Sequence, residues 1–237
     1  MQVIIKRHKK GESESKFETY QYNGERHISV LSLIDKINDS NSLAENFSPI
    51  KYDCSCEQGL CGACAMIVND TITLGCKAFL DELVDKNDRI QIEPLTKFDV
   101  VEDLIVDRSI LYKTVSEMKL WIEEDATHNL KLVKKQYAAA QCLFCGCCLE
   151  ACPNYTKGDS FAGAIGAMEM VNNFGKIMHS KHKKEVKKEY NLHFYKDCSK
   201  VGACEKVCPA GIPTLSLISE ANRESVWEVW KLKGEKK

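Results

Sequence analysis

Excess charge of either sign is missing from this sequence: 33 Lys and Arg stand against 34 Asp and Glu, a formal net charge of −1. That balance speaks against a nucleic-acid binder and against a partner held by one strongly charged tail. No apolar run approaches the roughly 18 residues that a spanning helix needs, so membrane contact, if any, is expected to come through another chain. The start lacks a basic stretch followed by an apolar core, so export is not indicated and a cytoplasmic, reducing setting is expected. Cysteine is the residue in excess, with thirteen in 237 positions. In a reducing compartment such cysteines are read as metal ligands rather than disulfides.

The stretch Cys142-Leu-Phe-Cys145-Gly-Cys147-Cys148-Leu-Glu-Ala-Cys152-Pro153 has the spacing C-x2-C-x2-C-x3-C-P of a bacterial-type iron–sulfur ligand run, whose last Cys serves the neighbouring cluster. A second run must therefore exist, and Cys198-Ser-Lys-Val201-Gly-Ala-Cys204-Glu-Lys-Val-Cys208-Pro209 repeats the pattern with Val201 opposite Cys145. Cross-ligation gives two unequal sets. Cys142, Cys145, Cys148 and Cys208 supply four thiolates for a 4Fe-4S cube. Cys152, Cys198 and Cys204 supply three, which suits a 3Fe-4S cluster missing the corner that Val201 faces. Structural zinc would account for four thiolates but not for the repeated Cys-Pro ends.

A third signature precedes these two. Cys56, Cys61, Cys64 and Cys76 form C-x4-C-x2-C-x11-C, the plant-type spacing for a 2Fe-2S cluster. Small residues at Gly59, Gly62 and Ala63 let that loop curl and aim backbone N–H groups at sulfur. Four, four and three ligands use eleven of the thirteen cysteines, leaving Cys54 and Cys147, which read as buried bystanders. None of His8, His27, His128, His179, His182 and His193 falls inside a ligand run, which speaks against Rieske-type ligation.

The surrounding pattern places these runs on a scaffold. Val3-Ile4-Ile5 and Phe17 to Tyr22 predict a hairpin, and Ser29 to Ile37 a helix, the opening of a ferredoxin-like β-grasp. Ala65–Val68, the turn Asn69-Asp70 and Thr71–Leu74 predict two strands that return Cys76 to its loop, and Ile90-Gln-Ile92 a closing strand. From Glu93-Pro94 to about Arg108 the composition reads as a linker, with a boundary placed at 105. Beyond it, Leu111, Val115, Met118 and Ile122, then Leu130 to Ala140, Phe161 to Phe174 and Thr214 to Leu232 predict helices. The expected class is α+β: a 2Fe-2S β-grasp domain over 1–105, then an α-helical ferredoxin domain over 106–237 carrying the other two clusters. The Lys176 to Lys188 run reads as a solvated face, with docking to an acidic partner or anionic lipid headgroups as the alternative, and Trp227 and Trp230 as core residues of the last helix, with a subunit interface as the second option.

In the order of these three motifs, and in the linker Ile92-Glu-Pro94-Leu95 through Val101-Glu-Asp103-Leu104-Ile-Val106-Asp107, the chain resembles the iron–sulfur subunit of the succinate dehydrogenase and fumarate reductase family over essentially its whole length. The resemblance implies an oxidoreductase subunit without a catalytic residue or substrate site of its own. A flavoprotein partner with FAD would interconvert succinate and fumarate, in the setting of the tricarboxylic acid cycle or anaerobic respiration. Electrons would run through 2Fe-2S, 4Fe-4S and 3Fe-4S to a quinone or quinol held partly by membrane-anchor subunits on the cytoplasmic face. Pro153 and Val201 match quinone-proximal positions of the family. Lys157 and Ser199 stand where many relatives have Trp and His. Thiol-linked relatives usually carry a further C-terminal domain with Cys-Cys-Gly repeats, and the chain ends at Lys237 without them, which favours a separate electron-exchanging subunit. Two alternatives stay open: a wire for a soluble flavoprotein reductase, and a zinc-stabilised interaction module.

Overall fold

The structure, a computed structural model, describes residues 1–12, 14–120, 132–173 and 182–227. The chain divides into two compact units, Met1–Arg108 with Cys145–Glu150, and Ser109–Phe144 with Ala151–Lys237.

The first unit is built on a five-stranded sheet of order β2-β1-β5-β3-β4. Strand β1 (Gln2–Arg7) pairs antiparallel with β2 (Lys16–Gln21), as the two apolar runs predict. It buries Val3, Ile5 and Arg7 on one face, the period-two alternation of a half-covered strand. Helix α1 (Val30–Asn41) begins at Ser29, whose hydroxyl accepts from the Ser32 N–H, and buries Val30, Leu31, Leu33, Ile34 and Ile37. That cap satisfies one of the helix's orphan donors. Strands β3 (Ala65–Val68) and β4 (Thr71–Leu74) join through Asn69 and Asp70, both at positive φ. Short helix α2 is Leu80–Leu83. Strand β5 (Arg89–Glu93) runs parallel to β1, and a parallel partner needs the long crossover that α1 and the Cys56–Cys76 loop provide.

The stretch read as a linker folds further than expected. Asp99–Glu102 (β6) and Ile105–Asp107 (β7) form a two-stranded ribbon turning at Asp103. Asp103 is buried and accepts from Arg7 Nε at 2.9 Å, from the His8 N–H at 3.0 Å and from the Lys51 N–H at 2.9 Å. All five guanidinium donors of Arg7 are used, on Asp103, Glu18, Tyr20, Ser48 and Pro49. Burial opposes that charge, but the hydrogen bond and charge of Asp103 outweigh it and leave the guanidinium harder to deprotonate than usual.

The second unit is helical: α3 (Ser109–Glu117), α4 (Val133–Ala140), α6 (Gly163–Asn172) and α9 (Thr214–Asn222) fall on the four predicted stretches, while α7 (Lys183–Tyr190) and α8 (Ala203–Lys206) add to them. The intervening α5 (Cys147–Glu150) belongs to the first unit. Helix α6 is buried on nearly every face, and α3, α4 and α9 pack on it. The described part of the lysine-rich run, from residue 182 on, is not merely a solvated face. Val186 and Tyr190, four apart on α7, are buried, and Phe194 continues them in a π-helical turn, Asn191–Tyr195. The last helix ends in another π-helical turn, Arg223–Trp227. Ile122, the start of the predicted second helix at Leu130, Phe174, His128, His179 and Trp230 lie outside the described residues.

Candidate metal centres

In the first unit the loop before β3 gathers two pairs of thiols. Cys64 and Cys76 lie 3.4 Å apart, sulfur to sulfur, both buried. At metal–sulfur bonds of about 2.3 Å a tetrahedral centre separates two sulfurs by about 3.8 Å, so this pair fits one metal with little adjustment. Cys56 and Cys61 form the second pair, joined by a hydrogen bond. The backbone N–H groups of Gln58 and Leu60 donate to Cys56 Sγ at 3.4 and 3.2 Å. Those donors favour the thiolate and bring Cys56 down to about 7. Burial pushes Cys64 up to about 12, reinforced by the Cys76 thiol. The curl depends on Gly59 at φ +74°, where a side chain would be strained and its Cβ would meet Lys77. Leu60, 69% exposed, presents an apolar side chain from the same loop. Cys54, expected to be buried, is only half-buried near Cys61 and Cys76, and that burial raises its pKa.

The segment Cys145–Glu150 also belongs to the first unit. Glu150 is buried and accepts from Thr96 Oγ1 at 2.5 Å and the Lys97 N–H at 3.0 Å, anchoring α5 to the stretch after β5. Gly146, at φ +89°, lies against Phe98, whose ring would be 2.8 Å from an added Cβ. Arg108, 14% exposed, donates from Nε to the Cys145 carbonyl at 3.1 Å and from Nη2 to the Ala63 and Ala65 carbonyls at 3.1 and 3.4 Å. Cys147 is fully buried and donates its S–H to Cys145. That bond brings the Cys145 thiol down to about 7 although burial opposes it, and the charge of Arg108 assists, while Cys147 itself is pushed far up.

In the second unit three thiols influence one another's charge. Cys198 and Cys204 each feel Cys152, and Cys204 feels Cys198; burial raises both Cys198 and Cys204. These are the three thiols left by cross-ligation. Asn154, two residues past Cys152, brackets the Cys198 loop: its Nδ2 donates to the Asp197 carbonyl at 2.5 Å, and its Oδ1 accepts from Ser199 Oγ at 2.8 Å. Lys200 and Gly202 both take positive φ and carry Val201 outward, 59% exposed. Leu215, partly exposed, packs beside Gly202. Pro153 and Lys157 are exposed. Cys142 and Cys208, half-buried, also belong to this unit.

Arg108, Glu150 and Asn154 escape the sequence reading. Each acts through backbone groups brought together only by folding, and none carries a spacing signal of its own.

Residues 2–113 match the 2Fe-2S iron-sulfur cluster binding domain, and residues 138–212 match the 4Fe-4S dicluster domain. Fold and sites thus define an α+β iron–sulfur protein, with a 2Fe-2S domain followed by a helical dicluster domain. The succinate dehydrogenase iron-sulfur subunit of Bacillus subtilis is 30% identical over 95% of this chain and 92% of its own length. The fumarate reductase iron-sulfur subunit of Wolinella succinogenes is 26% identical over 78% and 82%. The chain belongs to the family of succinate dehydrogenase and fumarate reductase iron–sulfur subunits. A chain of the Mycobacterium smegmatis Sdh1 complex in the apo form shares the fold, with TM-score 0.74 over 95% of this chain and 96% of its own, at 17% identity.

Proposed function

We propose that this chain is the electron-transfer subunit of a succinate dehydrogenase or fumarate reductase complex, relaying electrons between the FAD of a flavoprotein subunit and a quinone or quinol. The 2Fe-2S cluster is assigned to Cys56, Cys61, Cys64 and Cys76 within residues 1–105. The 4Fe-4S cluster is assigned to Cys142, Cys145, Cys148 and Cys208, and the 3Fe-4S cluster to Cys152, Cys198 and Cys204, within 106–237. Bound clusters supply one-electron carriage; the chain's residues hold them, aim N–H donors at sulfur and keep water from the buried ligands.

The observation that carries this reading is the pairing of the first motif's thiols, Cys64 with Cys76 at 3.4 Å and Cys56 with Cys61, beside the charge coupling of Cys152, Cys198 and Cys204. Each iron of a four-cysteine cluster takes one or two protein thiolates, whereas structural zinc gathers four on one point. The repeated Cys-Pro ends, Cys152-Pro153 and Cys208-Pro209, disfavour the zinc module. Among the described residues no helix is long and apolar enough to cross a membrane. Peripheral association through anchor subunits accompanies the proposal, with the exposed Val201 and Leu215 near Cys198 and Cys204 in the chain as an apolar surface suited to a quinone ring.

Anaerobic purification of the native complex, with iron analysis and identification of co-purifying chains, tests the proposal. Two, four and three irons predict about nine per chain. Mainly zinc, or a complex with no flavoprotein, would refute the reading; about ten irons would refute the three-iron assignment alone.

A further inference from the structure

Arg108, the residue directly after β7, carries no ligand-spacing signal of its own. Its guanidinium nonetheless donates to the carbonyls on both sides of Cys64, Ala63 O at 3.1 Å and Ala65 O at 3.4 Å, and to the carbonyl of Cys145 at 3.1 Å. Its remaining nitrogen faces Asp53 Oδ2 at 3.5 Å, a carboxylate that is 40% exposed. One side chain thus spans the loop of the first motif and the loop of the second, inside the first unit.

We propose that Arg108 is a shared positioning and tuning residue for two clusters, fixing the Cys64 and Cys145 loops against each other and biasing both clusters toward their reduced states. The inference rests on the ligand assignment proposed above.

Two physical effects support it. Arginine keeps its positive charge at every accessible pH, and its planar fork offers several donors in a fixed geometry. Three donated bonds leave little freedom for the carbonyls beside two ligands, and a group only 14% exposed is screened weakly by water and salt. Each cluster becomes more negative on accepting an electron, so a fixed positive charge beside it favours the reduced form. Because the same charge sits at both loops, its loss lowers both potentials together. Asp53 partly offsets the guanidinium, and neutralising it acts in the opposite direction.

Redox titration of the holocomplex, followed by electron paramagnetic resonance, reads the effect without relying on turnover. In Arg108→Gln, at the wild-type midpoint potentials, the reduced-to-oxidised ratio of both the 2Fe-2S and 4Fe-4S clusters should fall about tenfold, equivalent to about 59 mV for one electron. Arg108→Lys keeps the charge and should hold both ratios within about threefold, rescuing the potential even though the fork is lost. Asp53→Asn leaves Arg108 in place and should raise both ratios by about twofold. A purely structural residue would reduce cluster content without moving the ratio in the clusters that remain. Intact clusters with unchanged ratios in Arg108→Gln would overturn the proposal. If that variant fails to assemble, unchanged ratios in Asp53→Asn would overturn it equally. Survival of the 4Fe-4S signal in Cys145→Ser would instead overturn the ligand assignment beneath it.

Discussion

In the first unit the four thiols of the 2Fe-2S motif come from one continuous stretch, Cys56 to Cys76, and the backbone does most of the holding. Amides at Gln58 and Leu60 point at Cys56, and the β3–β4 hairpin brings Cys76 back to within 3.4 Å of Cys64. In the second unit the trio comes from two stretches, and a side chain joins them: Asn154 reaches Ser199, 45 residues further along. A site closed mainly by backbone is specified by spacing and turn residues, even where a side chain such as Arg108 also braces it. One closed by a side-chain bracket depends on residues that no ligand motif names.

Removing a ligand should produce the largest effects and break the comparison most directly. Cys64→Ser should abolish the 2Fe-2S resonance and leave the three-iron signal, because it removes half of a buried pair. Cys204→Ser should do the reverse. Loss of both signals from either variant would show that the two regions are not independent sites, against the contrast drawn here.

Next in size is the exchange of Val201, which sharpens the contrast between a complete and an incomplete ligand set. Val offers no lone pair, so a fourth iron opposite it would be held by sulfide and water alone. Val201→Cys restores the spacing that Cys145 uses in the first run, at a position with room for a thiolate because the side chain is 59% exposed. The oxidised-state three-iron resonance should disappear and the potential should fall by tens of millivolts or more, since added negative charge opposes reduction. Persistence of that resonance would mean that Val201 does not face the open corner.

How far the chain could be read without its structure follows the same division. The hairpin, α1, the β3–β4 pair and β5 were legible because strand alternation and Ser, Asn and Gly signals act locally. Helix α6 was legible from its density of small and apolar residues. Ribbon β6–β7 was not, since its three- and four-residue strands are too short for periodicity and are held by the distant Arg7–Asp103 pair. Helix α7 was hidden by its lysines, although Val186, Tyr190 and Phe194 already carried a four-residue spacing. Among site residues the spacing named thiols, while Arg108, Glu150 and Asn154 answer to backbone groups supplied by remote segments.

A smaller effect is expected at the bracket itself. Asn154→Ala removes two hydrogen bonds, each contributing about 0.5–1.5 kcal/mol, so about 1–3 kcal/mol of support for the Cys198 loop is lost. Loss of the three-iron resonance under a chelator should quicken roughly tenfold, at about 1.4 kcal/mol per decade. Ser199→Ala keeps the Asp197 bond and should show only part of that change. The 2Fe-2S signal, closed by backbone, should decay at the wild-type rate in both; equal acceleration of the two signals would erase the distinction.

The smallest effects belong to the two cysteines outside the ligand count, and they ask whether nearness to a site amounts to membership in it. Cys54 lies near Cys61 and Cys76, yet those two already have partners in Cys56 and Cys64, and burial favours its protonated form. Cys54→Ser should therefore leave every resonance in place. Cys147 differs, because its S–H is directed at Cys145 from a fully buried position. A hydrogen bond to a cluster ligand stabilises the more negative, reduced state. Cys147→Ala should keep the 4Fe-4S signal while lowering its potential by less than Arg108→Gln does, since a weak thiol donor is lost rather than a full charge. Cys147→Ser retains a donor and should recover most of that shift. Disappearance of the 4Fe-4S signal from Cys147→Ala would promote Cys147 from donor to ligand and would require one of Cys142, Cys145, Cys148 or Cys208 to leave the set.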